Sequence, residues 1–66
     1  MITFDPLWET LKKKNITQYD LITKHGFSTG TLDSLRKNRN ITMNTINDLC
    51  TILDCEISDI AMFTKD

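Results

Sequence analysis

The side chains in this 66-residue chain that could carry chemistry fall into two sets. The first is His25, Cys50 and Cys55. A zinc site needs several ligands at set spacings, and Cys50 and Cys55 lack both the C-x-x-C spacing and the companions. His25 is the one histidine, so a metal is not expected. The two cysteines read as small apolar core residues rather than as a redox pair. Ser, His and Asp residues are present, but nothing in their placement suggests a catalytic pocket. No enzyme activity, cofactor or small-molecule ligand is expected.

The second set is dense and polar. Gln18 is followed by Ser28, Thr29, Gly30, Thr31, Asp33 and Ser34, and then by Lys37, Asn38 and Arg39. Amides and hydroxyls exchange hydrogen bonds reversibly, and cations hold anions. That chemistry suits recognition of a polar, anionic surface more than bond breaking.

Charge placement agrees. The net charge of −1 by itself argues against an anionic partner. Yet residues 10–40 hold Lys12, Lys13, Lys14, Lys24, Arg36, Lys37 and Arg39 against only Asp20 and Asp33. Residues 41–66 hold Lys65 against Asp48, Asp54, Glu56, Asp59 and Asp66. A chain split in this way presents a basic face whatever its overall sum. The alternative is that these charges are ordinary solvated helix faces.

The elements that must position these residues read as short helices. A hydrophobic content of 39% with 26% charged residues suits a globular fold. The length suits one domain, 1–66, with marginal stability. No apolar run approaches the ~20 residues of a membrane span. Met1 to Glu9 shows no basic, apolar leader pattern, so a cytoplasmic setting is expected. Met1 to Phe4 is either a short strand or an ordered tail. Asp5 is expected to cap a first helix with Pro6 at its first position, and Asn15 to end it. Leu7, Trp8 and Leu11 form its apolar stripe. Thr17 caps a second helix, with Asp20 completing a capping box, and this helix runs to about Lys24–His25. Gly26 supplies the left-handed residue of a sharp turn. Ser28 caps a third helix running to about Lys37, with Leu32 and Leu35 inward. Thr42 caps a fourth, whose Ile46, Leu49, Cys50 and Leu53 recur at helical spacing, and Asp54 ends it. Ser58 is expected to cap a short fifth helix carrying Ile60, Met62 and Phe63. The fold class is therefore all-α, five short helices.

The spacing Gln18, Ile22, Gly26, Leu32, Leu35 resembles the helix-turn-helix of the Cro/CI-type, lambda-repressor-like family. The stretch from Thr42 to Ile60, TMNTINDLCTILDCEISDI, resembles the last two helices of that family. The likeness covers roughly Leu7 to Ile60. Ile22 stands where such proteins usually carry alanine.

This resemblance implies a DNA-binding transcriptional regulator, expected to be a repressor, with helices 2 and 3 as the helix-turn-helix. The helix around 28–37 would enter the major groove of double-stranded DNA. Thr29 and Ser34 would donate to or accept from base edges, and the Thr29 methyl would pack on a thymine methyl. Asp33 would either accept from a cytosine amino group or repel phosphate. Gly30 either lets the backbone approach the bases closely or is a tolerated flaw. Gln18 resembles the backbone-anchoring glutamine of the family, its amide and the adjacent helix N–H groups holding a phosphate. Lys37, Asn38, Arg39 and Asn40 occupy the loop that grips the sugar-phosphate backbone. Arg36 either joins them or pairs with an acid on a neighbouring helix. A homodimer is expected, through Met1-Ile2-Phe4 and Met62-Phe63, unless the two termini cover one another. The competing reading is a protein-interaction module, such as an antitoxin or adaptor, on the same fold.

Overall fold

Asn15, Asn38 and Asp54 share one backbone conformation, with φ of 58°, 55° and 51°. Each sits just past a helix, where the chain must reverse its path. Asn and Asp tolerate this left-handed region better than other residues with a Cβ. At all three positions the following N–H reaches five residues back: Ile16 to the Leu11 carbonyl, Arg39 to Ser34 and Cys55 to Cys50. Carbonyls left over at the helix ends are thereby satisfied, as in the Schellman motif.

The computed structural model describes residues 1–65; Asp66, one of the acids of the C-terminal half, lies outside them. Helix α1 spans Asp5–Lys14, α2 Gln18–Thr23, α3 Thr29–Arg36 and α4 Met43–Leu53. Strand β1, Ile2–Thr3, pairs antiparallel with β2, Met62–Phe63, placing Ile2 opposite Phe63 and Thr3 opposite Met62.

Three of the helix starts are made by hydroxyls. Thr17 Oγ1 accepts from the Asp20 N–H at 3.0 Å, while Asp20 Oδ2 accepts from the Thr17 N–H at 3.0 Å. Ser28 Oγ accepts from the Thr31 N–H at 3.0 Å and Thr42 Oγ1 from the Thr45 N–H at 3.2 Å. Each bond satisfies a donor that the first helical turn leaves unpaired.

Two expectations are corrected. Asp5 is not a cap: the helix begins with it, and Phe4 holds the cap position with no side-chain cap bond. The Phe4 carbonyl accepts from the Leu7 N–H at 3.0 Å, while its ring is buried in the core. The burial of that ring draws the helix start one residue earlier. The fifth helix does not form either. Ile57–Asp59 makes only a 3-10 turn, with Glu56 rather than Ser58 in the cap position and its N–H donating to Asp59 Oδ2 at 3.0 Å. Met62 and Phe63 instead find backbone partners in β1. An unpaired β1 would leave polar backbone groups to water, and a further helical turn of a few residues is weak by itself. Helices α2 and α3 end at Thr23 and Arg36, one or two residues before the expected limits.

All four helices feed one core. Leu7 and Leu11 come from α1, Leu21 from α2, Leu32 and Leu35 from α3, and Ile46, Leu49 and Leu53 from α4, with Phe4 and Ile60 closing the ends. Each fully buried Leu contributes about 1.5–3 kcal/mol relative to exposure. Trp8 and Ile22 pack against this cluster half-buried, so the larger side chain at position 22 is accommodated at the core's edge. Thr10 Oγ1 donates to the Asp59 carbonyl at 2.7 Å and fastens the 3-10 turn to α1. No helix among the described residues is long and apolar enough to cross a membrane.

Candidate nucleic-acid interface

Burial of Leu32 and Leu35 sets which way α3 faces. At 100° per residue, the side opposite the core carries Gly30, Asp33, Ser34 and Lys37, at spacing i, i+3, i+4, i+7. Thr29 and Thr31 flank that face. Thr29, Gly30 and Lys37 are exposed, and Thr31, Asp33 and Ser34 are half-buried. The Ser28 and Thr31 hydroxyls lie 2.9 Å apart and share a hydrogen bond. Ser28 therefore both caps the helix and holds Thr31.

Gly30 is not required by the packing. A Cβ added there would meet only the Ser28 hydroxyl, at an ordinary 3.7 Å. Gly26 is different: its φ of 75° is a conformation that side chains with a Cβ resist. From Gly26 the chain passes to Phe27, whose N–H bonds the Leu21 carbonyl at 3.0 Å. The sharp turn between α2 and α3 is thus held from both sides.

Asp33 lies between two cations on its own helix. Lys37 Nζ approaches it at 3.1 Å and Arg36 Nη1 at 3.6 Å. These exposed pairs add little stability, but they bias where three side chains point. Arg36 also reaches across to α2, where its Nε–H donates to Gln18 Oε1 at 2.9 Å. Arg36 does not pair with an acid on a neighbouring helix; its acid is Asp33.

The start of α2 carries a carboxylate of its own. The Asp20 carboxylate already sits over it through the bond from the Thr17 N–H, with Lys24 Nζ 3.6 Å away. The Thr17 backbone N–H, with the Thr17 hydroxyl and Lys24 adding to it, holds the Asp20 carboxyl below the usual carboxylate range.

Beyond α3, Asn38 is half-buried and its Oδ1 accepts from the Phe4 N–H at 2.8 Å. Its side-chain oxygen serves the fold. Arg39 is exposed and makes no ion pair among the described residues. Sequence reasoning passes over Tyr19, which is 72% exposed beside Gln18. Its only signal is a place outside the apolar spacing of Leu21 and Ile22.

Of the residues set aside on sequence grounds, His25 lines a shallow groove of about 430 Å³ between the turn and α4, with Phe27, Asp48 and Ile52 and at the edge of α3 with Ser28 and Thr31. Cys50 and Cys55 are free thiols, both half-buried. Burial, with smaller contributions from Cys50 and Asp59, pushes the Cys55 thiol up to about 11. Thiolate, the reactive form, is then scarce at neutral pH. Among the described residues, no three His, Cys, Asp or Glu side chains gather as a metal site would require.

The family model described as the Cro/C1-type HTH DNA-binding domain matches residues 6–66 of the chain. Among solved structures, the chain is similar to the crystal structure of the transcriptional regulator VanUg. The TM-score is 0.88 at 25% sequence identity, covering 98% of this chain and 87% of that one. No curated protein sequence matches the chain.

Proposed function

The chain belongs to the Cro/C1-type helix-turn-helix DNA-binding family, and we propose that it is a sequence-specific transcriptional repressor acting in the cytoplasm as a homodimer. The observation that carries this reading is the outward face of α3, whose small polar side chains lie beside the bridged Gln18 and the exposed Arg39. With α3 in the major groove, Thr29, Thr31 and Ser34 meet base edges. Gly30, lacking a Cβ, lets the helix axis come closer. Gln18, Lys37 and Arg39 hold phosphates on either side. Ser28, Asp33 and Asn38 keep those groups in place. The whole of 1–66 acts as one such unit and needs no metal or cofactor.

Short side chains give little discrimination per contact, so specificity leans on DNA shape and on two half-sites about 34 Å apart. A second copy is favoured by apolar side chains on the outer face of the terminal sheet. The two termini do pair with each other, yet Ile2 and Phe63, directly opposite one another on that face, are 51% and 69% exposed. Exposed apolar groups gathered in this way mark a contact surface.

The experiment is selection from a random duplex library, followed by a salt titration against selected and scrambled sequences. The expected product is a short, roughly palindromic site that retains a preference over scrambled DNA as salt rises. Absence of binding at low salt would sink the proposal. The second reading, a protein-interaction module, draws on one observation. Met1, Ile2, Met43 and Ile57 border a groove of about 540 Å³ beside the Asn38–Ile41 loop. A stoichiometric protein partner, recovered while Gln18→Ala and Arg39→Ala leave nucleic-acid binding unchanged, would favour it.

A further inference from the structure

We propose that Arg36 is a positioning residue: its bond to Gln18 decides which end of the Gln18 carboxamide faces the DNA backbone. The inference rests on the DNA-binding reading above. A carboxamide has two unlike ends, an oxygen that accepts and an NH2 that donates. A guanidinium can only donate. The bond from Arg36 Nε at 2.9 Å must therefore end on the Gln18 oxygen. That choice leaves the NH2 group for an outside partner. Phosphate oxygens are acceptors only, so the free end is the one a phosphate requires. Without Arg36 the amide turns freely, and half of its orientations present oxygen to oxygen.

Asp33 completes the device. Its carboxylate lies 3.6 Å from Arg36 Nη1, and so holds the guanidinium with Nε toward α2. The same carboxylate holds Lys37 at 3.1 Å. Arg36 thus has an acceptor on each side before any DNA arrives, and the negative charge beside it weakens its own pull on phosphate. One network joins the start of α2 to the end of α3, and its outward-facing members are the Gln18 NH2 and Lys37. Asp33 then acts by orienting cations rather than by reading cytosine.

Five variants test this on the full chain, each first checked for folding by circular dichroism: Gln18→Ala, Gln18→Glu, Arg36→Lys, Arg36→Ala and the double Gln18→Ala/Arg36→Lys. In the free protein, NMR should show the Arg36 Nε–H exchanging slowly with solvent. That protection should vanish in Gln18→Ala and persist in Gln18→Glu, which keeps an acceptor for Arg36. Equal exchange in all three overturns the proposal. On the selected duplex, Gln18→Ala should weaken binding by about tenfold, the size of one hydrogen bond to a charged group, and Arg36→Lys by about twofold, because half of the amide orientations remain competent. The double variant should be no weaker than Gln18→Ala, since Arg36 acts only through Gln18. Gln18→Glu should bind worst, having lost the donor and gained a charge.

The salt slope should not change in Arg36→Lys, because the charge is kept. If Arg36→Lys binds like the parent while Arg36→Ala flattens the slope by about one phosphate contact, Arg36 touches phosphate itself and the proposal fails. Multiplying effects in the double variant would also overturn it. A parent protein that binds no duplex at low salt is a separate result. It ends the DNA-binding reading and, with it, the role assigned to Arg36.

Discussion

The backbone N–H of Phe4 donates to the side-chain oxygen of Asn38 at 2.8 Å, joining the N-terminal strand to the loop behind α3. The same asparagine holds the left-handed position that ends α3. One residue therefore stops α3, orients the loop bearing Arg39, and fixes the chain entering α1. Two effects are combined at one position, and two substitutions separate them.

Asn38→Gly keeps the turn and loses only the bond to Phe4, so it should cost about 1 kcal/mol of unfolding free energy. Asn38→Ala loses the bond and also puts in the left-handed region a residue that tolerates it less well than asparagine or glycine, which adds about 1–2 kcal/mol. Urea denaturation should order the proteins as parent, Gly variant, Ala variant. An alanine variant as stable as the glycine variant would show that the backbone conformation is not what asparagine supplies.

Gly30→Ala should separate stability from binding. The added methyl has room, meeting only Ser28 Oγ at 3.7 Å. Alanine is the better helix former by up to about 1 kcal/mol, so the thermal midpoint should rise. Affinity for the selected duplex should fall severalfold, because the methyl stands on the face that enters the groove in the proposed complex. Unchanged affinity would show that the backbone of α3 does not come close to the bases.

Thr3→Val should stabilise the protein. The Thr3 hydroxyl is buried and has no hydrogen-bond partner among the described residues. Valine keeps the shape and removes the unsatisfied group, for a gain of about 1 kcal/mol. A lower denaturation midpoint in the variant would mean that the hydroxyl finds a partner in solution.

The Asp20 capping box predicts a loss of stability in acid. The folded-state carboxyl is held below its ordinary value, chiefly by the Thr17 backbone N–H. Its contribution is therefore fully present above the unfolded-state value. It is lost as the pH falls through the lower, folded-state one. The gap in urea midpoint between the parent and Asp20→Asn should be open at neutral pH and should close toward the acid end of that window. A gap that stays constant with pH would show that the charge on Asp20 contributes nothing.

Much of the local structure could be read from residue types because its causes are short-ranged. Thr17, Ser28 and Thr42 each act on an N–H three residues away. The start of α1 is not legible in the same way, because the Asp5-Pro6 pair is compatible with a start at either residue, and burial of the Phe4 ring chooses between them. The last segment is ambiguous for a related reason. Ile60, Met62 and Phe63 are apolar at a spacing that neither helix nor strand excludes.

What the sequence determined alone, then, is where α2, α3 and α4 begin, where α1 and α4 end, and which helix faces are apolar. Hydroxyl caps, the left-handed Asn15, Asn38 and Asp54, and the leucine spacing all operate within one or two turns of chain. What only the tertiary structure decided is who meets whom across long separations: Phe4 with Asn38, Arg36 with Gln18, and β1 with β2. Single surface bonds and two-residue strands are too weak to organise a chain by themselves. They form because the shared leucine core has already covered the entropic cost of bringing those positions together.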